Sequence, residues 1–459
     1  MLIHYLPKKV SFTAILLNLG IILTSILFFL CPVISLAQST ATDTSGSVTT
    51  LDSVWQMVAV HNKSVILQNL NVDISQEQVK DTRASRLPEI SINGELDGYT
   101  NLPEYEHGLF NTPTQYPIPK TFYSLGTNVY FNIYNGNKTN INLAYQKTTN
   151  AKEQEQTKLT IAEAKLLAAA FYLDLQRGII FKQLLLRDIE EQQKQLLKIE
   201  TLKKNGVVLK SDVLRAQLKL SDQDLELVKV ENNIRIATQK LNILTGRSDE
   251  YGIVPVELFN PDTIALKSYQ DYVSNASSRS YEINIVRKEM EMRQLKLKSI
   301  KASQLPSIGF YASYAYSYPQ GEYYPYSLSV FSLGSAGIKA SFPLSAAYLN
   351  KHKIKVAAIE LESAMTEQQD TQDKFRENVN TAYLRFKEYL VRLSVAKENI
   401  VLATENQRVL RNSYFNQTSL ITDLLDADTQ LLQSRFEYVA AKTAAQLQYF
   451  QLQKTLGNL

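Results

Sequence analysis

The chain has 459 residues, with 49 Lys and Arg against 45 Asp and Glu. The formal net charge is only +4, so no strong field points to nucleic acid. Glycine numbers 16, about half the average usage, and proline 13, so turns are few and elements long. A 44% hydrophobic content with 26 Tyr disfavours disorder. One Cys and four His exclude a disulfide scaffold and all but exclude a Cys/His zinc cage.

The N-terminus reads as a secretory signal peptide, residues 1–37. Lys8 and Lys9 precede an apolar run from Phe12 to Leu30, and Ser35-Leu36-Ala37 is a small-x-small cleavage site. The alternative is an uncleaved membrane anchor, because the apolar run is long for a signal. Cys31 follows Leu30, which is bulky where a lipoprotein site wants a small residue. Cleavage after Ala37 removes that only cysteine. No later stretch approaches the ~20 apolar residues of a membrane-spanning helix.

Beyond the leader, 51–86 is helical in pattern and Pro88 ends it. A strand over 89–98 alternates Ile90, Ile92, Gly94 and Leu96 with Ser91, Asn93, Glu95 and Asp97. A Pro-rich loop runs through Lys120. A second strand, 122–134, sets Tyr123, Leu125, Thr127, Val129 and Phe131 against Ser124, Gly126, Asn128, Tyr130 and Asn132. From 138 to 204 there is no Pro and one Gly, which predicts a helix on the order of 100 Å long. Asn205-Gly206 stops it, and Ser211 or Asp212 is expected to cap a helix over 211–244. The link 247–263 carries Gly252, Pro255 and Pro261 and reads as irregular.

The remaining residues follow the same plan. A helix is expected over 265–304, then strands 307–316 and 332–343 around a loop with Pro319, Gly321 and Pro325. Helices over 346–412 and 420–456 complete the chain. Landmarks recur in register: Leu87-Pro88 returns as Leu305-Pro306 at offset 218. Asp212-Val213-Leu214-Arg215-Ala216 returns as Asp423-Leu424-Leu425-Asp426-Ala427, and Gly246 as Gly457, both at offset 211. The reading is an internal duplication, 38–246 and 264–459, with each half a whole structural unit. In each half, two shorter helices stacked end to end match the length of the long one beside them. Apolar residues such as Phe181, Leu185, Ile189, Leu196 and Ile199 supply a coiled-coil-like face.

Four strands of about 9–12 residues, apolar on alternate positions, have the pattern of membrane-spanning β-strands. Such strands must close into a barrel. Four are too few for a conduit, so three chains supplying twelve strands are implied. The bland alternative is a pair of half-buried hairpins capping a helical bundle. Enzyme signatures are missing: no P-loop, G-x-G-x-x-G, H-E-x-x-H or G-x-S-x-G is found, and no cofactor is expected.

The duplicated Leu-Pro pair, Tyr134-Asn135-Gly136, Asn205-Gly206 with Asp212-Val213-Leu214, and Asp423-Leu424-Leu425-Asp426-Ala427 with Leu456-Gly457 resemble TolC-type outer-membrane efflux proteins. The resemblance covers essentially the whole chain after the leader. It implies a mainly helical homotrimer with a twelve-stranded barrel in outer-membrane lipid, above a periplasmic helical tunnel. It implies an exit duct for small molecules or proteins, joined by a periplasmic adaptor to an inner-membrane RND, ABC or MFS pump. The rival reading is a periplasmic adaptor or coiled-coil scaffold without a barrel.

The resemblance also implies a gate. The family's two gating aspartates near the start of the last helix match Asp423 and Asp426. A tyrosine, an arginine and a first-half aspartate hold that entrance shut, and Tyr414 and Asp212 match two of these. The arginine's position is Ser419 here, and Arg215, the counterpart of Asp426, is the candidate substitute. The competing reading of Asp212 and Asp423 is helix N-terminal charge, worth about 0.3–1 kcal/mol.

Overall fold

The computed structural model describes residues 47–276, 278–321 and 326–459. The expected signal peptide, 1–37, lies outside the described residues, as does the Pro325 end of the second strand loop.

The chain opens with β1 (Ser47–Thr49), α1 (Leu51–His61) and α2 (Lys63–Ala84). The single helix expected over 51–86 is therefore broken. Asn62 sits in extended backbone, and its Oδ1 accepts from Ser64 N at 3.0 Å and Val65 N at 3.4 Å. An Asn side chain that can cap the next turn competes with helix continuation. The next elements are β2 (Glu89–Gly98), the small hairpin β3 (Leu102–Glu104) and β4 (Thr114–Tyr116), and β5 (Thr121–Asn135). That hairpin falls where a plain loop is expected.

Helix α3 (Lys138–Lys204) is 67 residues long and α4 (Lys210–Thr245) is 36. Neither Ser211 nor Asp212 is the cap of α4. Leu209 holds that position, in extended backbone, and offers no side-chain hydrogen bond. The link contains β6 (Ile253–Pro255), which pairs in parallel with β1, so it is not wholly irregular. The helix expected over 265–304 is also divided, into α5 (Tyr269–Ala276) and α6 (Tyr281–Ala302). Ser280 starts the second piece, its hydroxyl accepting from Ile283 N at 3.4 Å. Strands β7 (Ser307–Tyr318) and β8 (Phe331–Ser341) follow. A four-residue α7 (Ala346–Leu349) then precedes α8 (Lys351–Phe415) and α9 (Ile421–Thr455).

The sheet is antiparallel in the order β2-β5-β7-β8. Its register gathers each strand's apolar set onto one side. Ile90 faces Val129, Phe131 faces Phe310, and Phe310 faces Ile338. The polar set shares the other side: Ser91 faces Asn128, Asn128 faces Ser313, and Gly309 faces Lys339. The register is fixed in this way because a one-residue slip would move every side chain of a strand to the wrong face.

In each half a long helix carries two shorter helices along its length. Helix α2 packs on one end of α3 and α4 on the other, while α6 and α9 share α8 in the same way. The pieces meet at glycines. Gly246 and Gly457 both follow a helix end with φ +72. A Cβ at Gly246 would lie 3.0 Å from His61 Cβ, and one at Gly457 would run into the Arg279 carbonyl. A left-handed C-terminal residue without a Cβ is what lets the next piece abut. Around this level lies the largest apolar cluster. Val54 and Val58 of α1, Ala168 and Leu175 of α3, Leu241 of α4 and Phe450 of α9 pack together there.

Gly246→Ala should combine a left-handed non-glycine backbone with the His61 contact. We expect a loss of at least about 1–2 kcal/mol, read as a lowered midpoint of thermal unfolding. Gly108→Ala, where φ is +95 but no atom lies within 4 Å of the added carbon, serves as the strain-only control.

Candidate functional site: the turns at the far end of the helices

The end of the helices away from the sheet is built from two matching turns. At the first, Gly206 (φ +74) reverses the chain, and Val207 N donates to Leu202 O at 2.9 Å. At the second, Gln417 takes the left-handed position (φ 61), and Thr418 N donates to Ser413 O at 2.8 Å. Both turns pass through an extended leucine, Leu209 or Leu420, into the next helix. Both thereby satisfy the last carbonyls of the long helix with backbone donors.

Apolar packing joins the turns. Ile199 of α3, Val213 and Ala216 of α4, Tyr414 of α8, and Ile421 and Leu424 of α9 form one buried cluster. Tyr414 is only 5% exposed, and its hydroxyl donates to Asp212 Oδ2 at 3.3 Å. This is a direct bond between the first-half and second-half turns. Burial first, then the Asp212 charge and the bond itself, push the Tyr414 phenol up to about 12.

Of the six residues singled out in the sequence, the fold brings Tyr414 and Asp212 together. Asp423 lies in the first turn of α9 and is half-buried; its Oδ2 accepts from Leu420 N at 3.2 Å. That contact suits the helix-start reading of Asp423. Asp426 is one turn deeper and exposed, and makes no hydrogen bond or ion pair among the described residues. Arg215 is exposed and likewise forms no ion pair there. The Ser419 hydroxyl is buried with no partner, so it forms no lock of its own within one chain.

Two residues that sequence reading passes over are Asp188 and Asp428, which are buried at 7% and 4% exposure behind the turns. A signal for the first exists. Leu185, Ile189, Gln192, Gln195 and Ile199 mark a buried stripe at three- and four-residue spacing, and Asp188 falls within it.

The family profile of outer membrane efflux proteins matches residues 54–247 and 272–458. The chain belongs to this family. It is similar to the outer membrane protein TolC of Salmonella enteritidis, 20% identical over 420 residues, spanning 89% of this chain and 82% of that one. In fold it is similar to CusC, with a TM-score of 0.75 and 15% identity over 93% of this chain and 96% of CusC. It is also similar to the outer membrane protein VceC of Vibrio cholerae, with a TM-score of 0.72 and 16% identity over 89% and 96%. The open state of the Neisseria gonorrhoeae MtrE channel matches at a TM-score of 0.69 and 13% identity over 89% and 88%. An outer membrane efflux protein is a transport conduit and not an enzyme. It sits in the outer membrane with its helical part in the periplasm, so the paired turns lie on the periplasmic side. Among the described residues no helix is long and apolar enough to cross a membrane.

An alkaline absorbance titration checks the buried phenol. The difference between the wild type and Tyr414→Phe should appear near pH 12, where this group ionises, and not near the ordinary 10.0.

Proposed function

We propose that three copies of this chain form the outer-membrane exit duct of a tripartite efflux or type I secretion system. The observation that carries this is the sheet. One face is apolar across all four strands, yet β2 and β8 are left as edges. In hydrocarbon an unpaired edge costs several kcal/mol per group, so edges must pair. Pairing β8 of one copy with β2 of the next closes a barrel, and three copies give about twelve strands, enough for an open lumen. Aromatic belts support the membrane position. Tyr123 stacks on Tyr318 at 5.0 Å near the loop end, and Tyr134 lies at the helix end. The strand between Tyr123 and Tyr134 covers about 36 Å, or about 27 Å at a tilt near 40°.

In this reading the polar face lines the lumen, and the loops at 98–120 and 317–330 face the exterior. The duplicated halves each supply one strand pair and one helical wall. The duct is passive. A periplasmic adaptor links it to an inner-membrane RND, ABC or MFS pump, which supplies the energy. A soluble adaptor or scaffold has no use for a continuous exposed apolar sheet face, which disfavours the rival reading.

The paired turns act as the gate. Tyr414 and Asp212 fasten the first-half turn to the second-half turn within each copy. Around the threefold axis, Asp423 and Asp426 form two rings of carboxylates that attract cations. Arg215 is free to reach a neighbouring copy in the place of the family's arginine, which Ser419 replaces.

Two measurements test this. In planar bilayers, Asp423→Ala with Asp426→Ala should lose cation preference while still assembling as a trimer. Unchanged selectivity would remove both residues from the gate. On the sheet, Val129→Lys should cost about 2–4 kcal/mol of assembled stability in detergent or lipid, while Asn128→Lys should be milder. Equal effects would overturn the assignment of faces.

A further inference from the structure

Asp188 of α3 and Asp428 of α9 lie between two apolar clusters. On the tip side are Ile199, Val213 and Leu424, and on the other Leu185, Val230 and Leu432. Gln223 of α4 donates its side-chain amide to Asp188 Oδ2. Asp428 accepts twice, from Gln195 Nε2 of α3 and from Gln407 Nε2 of α8, each at 2.9 Å. Two carboxylates therefore bridge all four helices that lead to the turns. Asp428 is only five residues past Asp423, about 7.5 Å along the helix.

Neutral amides solvate these carboxylates without cancelling their charge. Neither forms a salt bridge among the described residues. The charged groups that face Asp188 are Asp428 and Arg435 from α9, Lys219 from α4 and Glu191 from its own helix. Lys219 spends a donor on Thr429 Oγ1 at 2.7 Å, a further bond between α4 and α9. Helix α8 presents the Gln407 amide, and its neighbouring Arg408 is exposed and paired with Glu405 at 2.6 Å. Two like charges in a dry helical wall are a costly arrangement.

We propose that Asp188 and Asp428 form a proton-operated clamp: a proton on Asp188 relieves its repulsion of Asp428 across the two helical hairpins, so that the Gln195–Asp428 link holds them together behind the tip, and loss of that proton favours opening. This rests on reading the tip as the gate. Opening must part the hairpin α3–α4 from α8–α9, because Tyr414–Asp212 joins them at the tip. The same movement breaks Gln195–Asp428 and Lys219–Thr429 and lets water reach both carboxylates. Once hydrated, Asp188 ionises freely.

Burial first, and the Asp428 charge second, push the Asp188 carboxyl up from 3.8 to about 6. A closed form that holds a proton more tightly than the open one gains stability as pH falls from about 6 towards 3.8. That extra stability is absent above about 6. Acid therefore closes the tip.

The test uses the purified trimer in planar bilayers, with pH varied across this range. Wild-type conductance should rise as pH passes upward through about 6, and each linked proton changes the open-to-closed ratio by up to about tenfold per pH unit. Asp188→Asn, neutral and of the same shape, should be low in conductance and flat with pH. Asp428→Asn removes the facing charge, so the step should move to lower pH. Asp423→Asn with Asp426→Asn should keep the step.

A wild type without a step overturns the clamp. So does an Asp188→Asn variant that keeps the step, or a step lost only when the tip carboxylates are removed. A wild type that forms no pore refutes the duct reading instead. Limited chymotrypsin cleavage at Phe415, at one neutral pH, then decides the clamp alone. It should be slower in Asp188→Asn than in the wild type, and equal or faster cleavage overturns the proposal. Should Asp188→Asn fail to assemble, Asp428→Asn is carried through both measurements.

Discussion

Apolar burial between α3 and the helices laid along it is the constraint on which the rest depends. A helix of 67 residues cannot hide its apolar stripe alone, and most of its surface would meet water. Helices α1, α2, α4, α6 and α9 all pack on α3, so it holds both halves together. The clusters along it change character with position. Around Tyr172 and Leu175 the core is dense and aromatic, and the Tyr172 hydroxyl meets the backbone of Val256 and Thr49. Towards the turns the stripe admits polar residues, and the packing rests on fewer, smaller contacts.

That gradient divides the labour within the molecule. The β1–β6 pairing, the glycine junctions and the dense cluster make the middle a fixed joint. Among the described residues the tip holds a single cross-turn hydrogen bond, a modest apolar cluster, and behind them two buried carboxylates. Local stability falls where buried apolar contacts are few and polar contacts must be matched. In the gated duct proposed above, the yielding part would sit at the tip, and the rigid joint nearer the membrane would keep that movement from the strands.

The sheet obeys a different solvent. Its apolar face is exposed in a single chain, with Ile90, Ile92, Leu125 and Ile338 all well over half open. In water this would be a liability, and in the barrel proposed above it is the surface that lipid covers. Aromatic rings near the strand ends and small residues between them suit the same setting. Gly309 lies beneath the Tyr130 ring and Gly337 beneath that of Tyr311, so bare backbone on the polar face is roofed by phenols.

Much of this was legible in the residues because periodicity is local. The absence of Pro between 138 and 204 and the alternation from Tyr123 to Phe131 depend on neighbours in the chain. Asn205-Gly206 likewise marks its turn without help from elsewhere. The family's motifs mark Tyr414 and Asp212 by their places in the sequence alone. Tertiary structure alone decided what depends on distant partners. The β1–β6 pair joins residues about 200 positions apart, each only a three-residue strand with no pattern to read. The stripe on α3 marks Asp188 as inward-facing, but its partner Gln223, and the Gln195 and Gln407 that meet Asp428, come together only in the packed helices. The burial of the two carboxylates, and hence their chemistry, belongs to the packing and not to the chain.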